Sequence, residues 1–267
     1  LPSFPISPSQ KIILDSQQES TSTSRNITYM QGRINSWAIS IFWLGVSIHW
    51  AAFLTIVMQV RTAELVPPEI KGTMLGVLSA AGALISTVIE LIAGPISDRS
   101  RSRWGRRRPF IFWGTLLSLP FIWLFVVAPN FPMLVACFVA IQLFLNWANG
   151  PYQAVIPDYV PPERHGFASA YMGMMTLVGT LVGLALAGLT LSDPPILFAG
   201  LPYPTRLMFV GAVLMLCLLV TMLWTVLGLR EPVWQPNRPD EARLHWHHFL
   251  DIWVNNHPNF RLVVLSR

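Results

Sequence analysis

Gly94-Pro95-Ile96-Ser97-Asp98-Arg99-Ser100-Arg101-Ser102-Arg103-Trp104-Gly105-Arg106-Arg107-Arg108-Pro109 sets six arginines and one aspartate between two long apolar runs, residues 73–96 and 109–127. The stretch nets +5, which equals the formal charge of all 267 residues. A charge block of this density is a solvated feature, and the apolar runs beside it are of the length that crosses a bilayer. A hydrocarbon core of about 30 Å takes roughly 20 residues of helix.

Four further runs of the same kind occur, at residues 37–60, 133–150, 167–191 and 207–229. The run at 133–150 is the shortest and ends in Asn146, Trp147, Ala148, Asn149 and Gly150. Composition agrees: 53% of residues are apolar and 12% charged, against roughly 25% charged in soluble domains. A bilayer offers no water to backbone groups, so spans must be helices or closed barrels. These runs are too long and too continuously apolar for barrel strands. The expectation is an all-α membrane protein of six transmembrane helices.

Basic residues set the orientation. With the arginine loop on the cytoplasmic side, fifteen of the eighteen Lys and Arg fall inside, and only Arg61, Lys71 and Arg206 face out. The N-terminus is then cytoplasmic and the protein a multi-pass component of the cell membrane. An arginine run can also bind nucleic acid, but its place between two spans argues against a nucleic-acid partner. Residues 1–33 are rich in Ser, Thr, Gln and Pro and read as a disordered cytoplasmic tail. Because the chain starts at Leu1, it is expected to be a fragment or a processed form. Cys137 and Cys217 lie in different apolar runs, which argues against a disulfide framework.

The chain also repeats itself. Gln59, Glu64, Val66, Pro67, Pro68, Glu69 and Gly72 return as Gln153, Asp158, Val160, Pro161, Pro162, Glu163 and Gly166, always 94 residues later. Val88, Ala93 and Gly94 return as Val182, Ala187 and Gly188 at the same shift. One copy precedes the second span and the other the fifth. The two three-helix units (residues 34–229 together) therefore run through the membrane in opposite directions, as the inverted repeats of secondary transporters do. A Val-Pro-Pro-Glu phrase alone would be only a helix start; the shared Gln, acid and downstream Gly go beyond it.

The loop now resembles the signature of the major facilitator superfamily. Its longer spacing, with Asp98 and Gly105 seven apart, and its Gly-Arg-Arg-Arg-Pro ending are similar to the glycoside–pentoside–hexuronide and sucrose groups of sugar:cation symporters. Residues 149–158 resemble that branch too. The resemblance implies the N-terminal half of a twelve-helix fold, with residues 230–258 as the central cytoplasmic loop and 259–267 as the start of a seventh helix. It implies a gate made of Gly94, Asp98, Arg99, Gly105, Arg106 and Arg107, in which the glycine lets helices approach. It also implies a missing C-terminal half, a small-molecule substrate of sugar type, and a proton or sodium ion as coupling partner.

Ionisable groups within spans are costly, so each is a functional candidate. Glu90 stands where the glycoside–pentoside–hexuronide pattern has an acid that helps bind the coupling cation, although Leu91 replaces the usual Pro and Ser86 the preceding acid. Its alternative is a structural carboxylate. His49, mid-span and followed by Trp50, is a second candidate for cation coupling, or a histidine satisfied by a neighbouring helix. Gln142, Asn146 and Asn149 recur at four and three residues, hence on one helix face. They suit a polyhydroxyl ligand, or plain interhelical hydrogen bonds. Gly179 and Gly183 read as a packing surface. His245, His247 and His248 lack the Cys or carboxylate set of a metal site. No nucleotide loop or nucleophile arrangement is present, so neither catalysis nor a cofactor is expected. The leading function is a secondary transporter working by alternating access; the alternative is a membrane assembly or binding factor that transports nothing.

Overall fold

The computed structural model describes residues 36–100, 102–160 and 164–229. The expected tail at 1–33, the loop at 230–258 with its histidines, and the residues 259–267 lie outside the described residues.

Six helices are long and apolar enough to cross a membrane. The first, α1, is built of Ser36–Ala52, a π-helical turn at Phe53–Val57, and Met58–Leu65. Then come α2 (Pro68–Asp98), α3 (Arg108–Val126), α4 (Phe131–Gln153, continued by the short helix Val155–Tyr159), α5 (His165–Leu191) and α6 (Tyr203–Gly228). Local chemistry explains the ends. Pro68 opens α2 with Glu69 in its first turn, where a missing N–H costs nothing and a carboxylate offsets the helix dipole. Asn130 caps α4 by accepting a hydrogen bond from the Met133 N–H at 3.0 Å.

The fourth span, the shortest in sequence, is a full one. Its helix runs past Gly150 and through Pro151 to Gln153. Hydropathy falls there because Asn146 and Asn149 are polar, yet both are buried against protein rather than lipid.

The packing carries the repeat. The major neighbours are α1 with α5 and α6, α4 with α2 and α3, and α3 with α6. Exchanging α1 with α4, α2 with α5, and α3 with α6 returns the same set. Short connections alternate the direction of successive spans, so a three-helix shift inverts each unit. The matching helices also bury alike. Ala93 on α2 and Ala187 on α5 are both fully buried. Each of these helices buries mostly small residues and turns its large ones outward: Val77 and Leu84 on α2, Leu177 and Leu181 on α5. The apolar core instead collects Phe42, Phe53, Phe125, Phe138 and Ile141 from α1, α3 and α4.

Two glycines set the α1–α5 distance. A Cβ at Gly179 would lie 2.7 Å from the Ser47 Cβ and 2.8 Å from the Leu44 carbonyl; one at Gly183 would lie 2.4 Å from the Ile48 carbonyl. The packing surface expected at these positions is where the two helices come closest.

Candidate functional site

Two polar assemblies of the apolar body, among the described residues, bear on function. The first closes the arginine-rich end. Gly105 has φ 104°, a left-handed conformation that favours glycine, and its N–H donates to the Ser102 carbonyl at 3.1 Å. The turn delivers Arg106 and Arg107 to the start of α3, where Arg107 is 2% exposed. Its Nη2 donates to Asp98 Oδ1 at 2.9 Å, its Nη1 to the Pro151 carbonyl at 3.0 Å and its Nε to Asp158 Oδ2 at 2.7 Å. Arg106 also pairs with Asp158. One guanidinium thus ties the end of α2 to the end of α4 through the start of α3, using the fixed fork of donors that a lysine lacks.

Asp98, Arg106 and Arg107 meet as expected, with Gly105 shaping their turn. Two members of the expected gate stand apart. Arg99 ends α2 with its N–H donating to the Ile96 carbonyl, and its side chain is in no ion pair among the described residues. Among the described residues a Cβ at Gly94 would meet nothing within 4 Å, so none of these six helices approaches there. The close contact lies one residue around the helix, where a Cβ on Gly150 would come within 3.2 Å of the Glu90 carbonyl and 3.3 Å of Ala93. Asp158 completes this cluster although the expected gate does not include it; its place in the 94-residue repeat is the sequence signal that marks it.

The second assembly is a cavity of ≈ 440 Å³ between α1, α2 and α4, within the range of about 300–1,000 Å³ usual for small-molecule sites. Glu90, Gln142, Asn146 and Asn149 all line it, with Gln59, Ser79 and Ser86 adding polar groups and Trp50, Leu54, Met58 and Phe138 apolar wall. Gly82 gives α4 its room: a Cβ there would sit 2.6 Å from Gln142 Nε2. Gln142 and Asn146 satisfy each other along α4, with Asn146 Nδ2 donating to Gln142 Oε1 at 2.8 Å and to the Gln142 carbonyl at 2.7 Å. Asn149 Oδ1 is buried without a hydrogen-bond partner among the described residues. Among the described residues the lining holds one ionisable group, Glu90, and no cation.

His49 is not part of this cavity. It lies fully buried with its ring stacked on Phe53 at 5.0 Å and edge-on to Trp50. Its neighbour in sequence, Trp50, lines the cavity; a step of one residue turns the helix by about 100°. Among the described residues neither ring nitrogen has a hydrogen-bond partner, so none of the described helices satisfies it. Gln59, a repeat position, and Trp50, the neighbour of His49, line the cavity without belonging to the expected site.

The sequence matches the profile of the Major Facilitator Superfamily over residues 35–265. The chain belongs to the major facilitator superfamily. It is 27% identical over 195 residues to the General alpha-glucoside permease of Schizosaccharomyces pombe, covering 67% of this chain and 34% of that protein. It is 25% identical over 186 residues to an uncharacterized symporter of Synechocystis sp., covering 64% of this chain and 32% of that protein. The matched region thus spans about one third of the length of these relatives. Both names agree with the sugar:cation symporter branch that the arginine loop resembles.

Proposed function

We propose that this six-helix body is the N-terminal half of a cation-coupled transporter for a neutral sugar or glycoside. It works by alternating access against a second helical body. The observation that carries the reading is the cavity, which gathers one carboxylate, four amides and a tryptophan from spans of both repeats. Amides and hydroxyls match a polyhydroxyl ligand, and a wall without arginine or lysine does not select an anion. The permease from Schizosaccharomyces pombe supports an α-glucoside as the first substrate to try. Glu90 is assigned to the coupling proton or sodium ion. The assembly of Asp98, Arg106, Arg107 and Asp158 is assigned to the gate, since breaking its pairs shifts the balance of states by their energy difference between states. The gate and the N-terminus face the cytoplasm of a cell-membrane protein, in keeping with the basic-residue bias.

The test is uptake of labelled α-glucosides and other sugars into cells expressing the full-length protein, with and without proton and sodium ionophores. Gradient-driven accumulation is expected. Glu90→Gln should abolish the gradient dependence while leaving sugar binding measurable. Asn149→Ala should raise the apparent KM about fivefold, the weight of one hydrogen bond of about 1 kcal/mol. If no sugar is taken up at all, the sugar assignment fails, and a binding or assembly factor on the same scaffold becomes the better account.

A further inference from the structure

At the end opposite the arginines, residues 192–202 join α5 to α6. Here the chain reads Pro195-Ile196-Leu197-Phe198-Ala199-Gly200-Leu201-Pro202, with Asp193 the one charge in the connection. A connection exposed to water would put polar groups outward. This one exposes Ile196 at 68%, Leu197 at 39%, Phe198 at 44% and Leu201 at 41%.

The exposure belongs to a built loop. The N–H groups of Ile196 and Leu197 both donate to the Leu189 carbonyl, at 3.1 and 2.8 Å, folding the segment back over the end of α5. The Leu201 N–H donates to the Phe198 carbonyl at 2.9 Å. Phe198 has φ 58°, a left-handed backbone that a bulky residue rarely adopts. Its ring nevertheless packs on Phe209 of α6 with centroids 4.5 Å apart. A backbone held in that region costs energy and persists where its surroundings fix it. The outcome is a set of large apolar side chains facing away from the protein.

Leu189 on α5 and Met208 on α6, the spans that the loop joins, expose apolar side chains in the same way. The loop also lies at the right depth. The 27 residues of α5 reach about 40 Å as a helix, against about 30 Å of hydrocarbon, so its end stands in the interfacial layer.

We propose that the 195–201 segment is an interfacial anchor. Ile196, Leu197, Phe198 and Leu201 insert at the headgroup–acyl boundary of the leaflet opposite the arginine loop. The ligand is the lipid surface, bound through apolar area rather than charge. One end of the body is then fixed by apolar insertion, and the other is set by arginine in water.

The test uses the full-length protein reconstituted in phospholipid vesicles with Cys217→Ser. A nitroxide is placed at Ile196→Cys in one sample and at Leu201→Cys in another. Both sites are exposed and tolerate the label. Collision with oxygen, which concentrates in lipid, is compared with collision with a water-soluble nickel chelate. The expected result is oxygen collision several times more frequent than chelate collision at both positions. Frequent chelate collision would place the loop in water and overturn the proposal. Low collision with both would place it against protein, as a second helical body would require, and would overturn it equally.

Discussion

Arg107→Met is expected to destabilise the body by about 3 kcal/mol, the low end of the roughly 3–5 kcal/mol found when a buried ion pair loses one partner, because both carboxylates are partly exposed. Met keeps the apolar stem and removes the guanidinium, so the loss is chiefly that of its ion pairs and hydrogen bonds. Asp158 loses its main donor, the buried Pro151 carbonyl loses its partner, and the ends of α2 and α4 are no longer joined through α3. Asp98 adds little because its side chain is 51% exposed and water takes over its solvation. Asp98→Asn should therefore cost under about 1 kcal/mol. Arg107→Lys should restore little, since one ammonium cannot reach three acceptors with the geometry of a guanidinium. Thermal unfolding in detergent, followed by tryptophan fluorescence, reads all three variants. Arg107→Met unfolding at the wild-type temperature would mean that the assembly does not hold the helix ends together.

The second large effect is steric. Gly183→Ala should cost about 1–3 kcal/mol, the usual range for overpacking, and Gly183→Leu should prevent recovery of folded protein. The obstacle at 2.4 Å is the Ile48 backbone carbonyl, with the Ile48 Cα and carbonyl carbon both 3.1 Å away. Backbone in the middle of a helix cannot swing aside as a side chain can, so α1 and α5 must separate along the most extensive helix–helix interface of the body. Gly173→Ala on the same helix provides the control, because nothing lies within 4 Å of its Cβ position. It should leave stability unchanged or raise it by up to about 1 kcal/mol, through helix propensity alone. A Gly183→Ala protein as stable as Gly173→Ala would show that the two helices do not meet this closely.

All six spans were legible because hydropathy reports where lipid must be. It does not report where a helix stops. The run at 37–60 ends at the first charge, Arg61, whereas α1 continues to Leu65. Backbone hydrogen bonding persists past the apolar boundary, and Arg61 pairs there with Glu64 and donates to the Ala128 carbonyl. The cavity was legible for a related reason. Glu90, Gln142, Asn146 and Asn149 stood out as polar groups among apolar neighbours, and helical spacing placed the amides on one face. His49 stood out equally, yet only the packing of the aromatics separates it from Trp50. The arginine–aspartate cluster was half legible. Composition marked the arginines, but the choice of Arg107 as the hub depends on the backbone turn at Gly105 and on Asp158, which is 51 residues away.

The π turn in α1 marks a difference between the two units. From Val57 to Thr62, burial follows that of Pro151 to Ile156 closely, at the shift of 94 residues. Before the turn the match at that shift is looser: Ile39, Phe42 and Val46 are buried, whereas Met133, Ala136 and Ala140 are not. A π turn sets one more residue between hydrogen-bond partners than an α turn does, and α4 has no such turn within Phe131–Gln153. The wider coil stands between Trp50 and Met58, which both line the cavity, so it sets how far around the helix these two wall residues lie from each other.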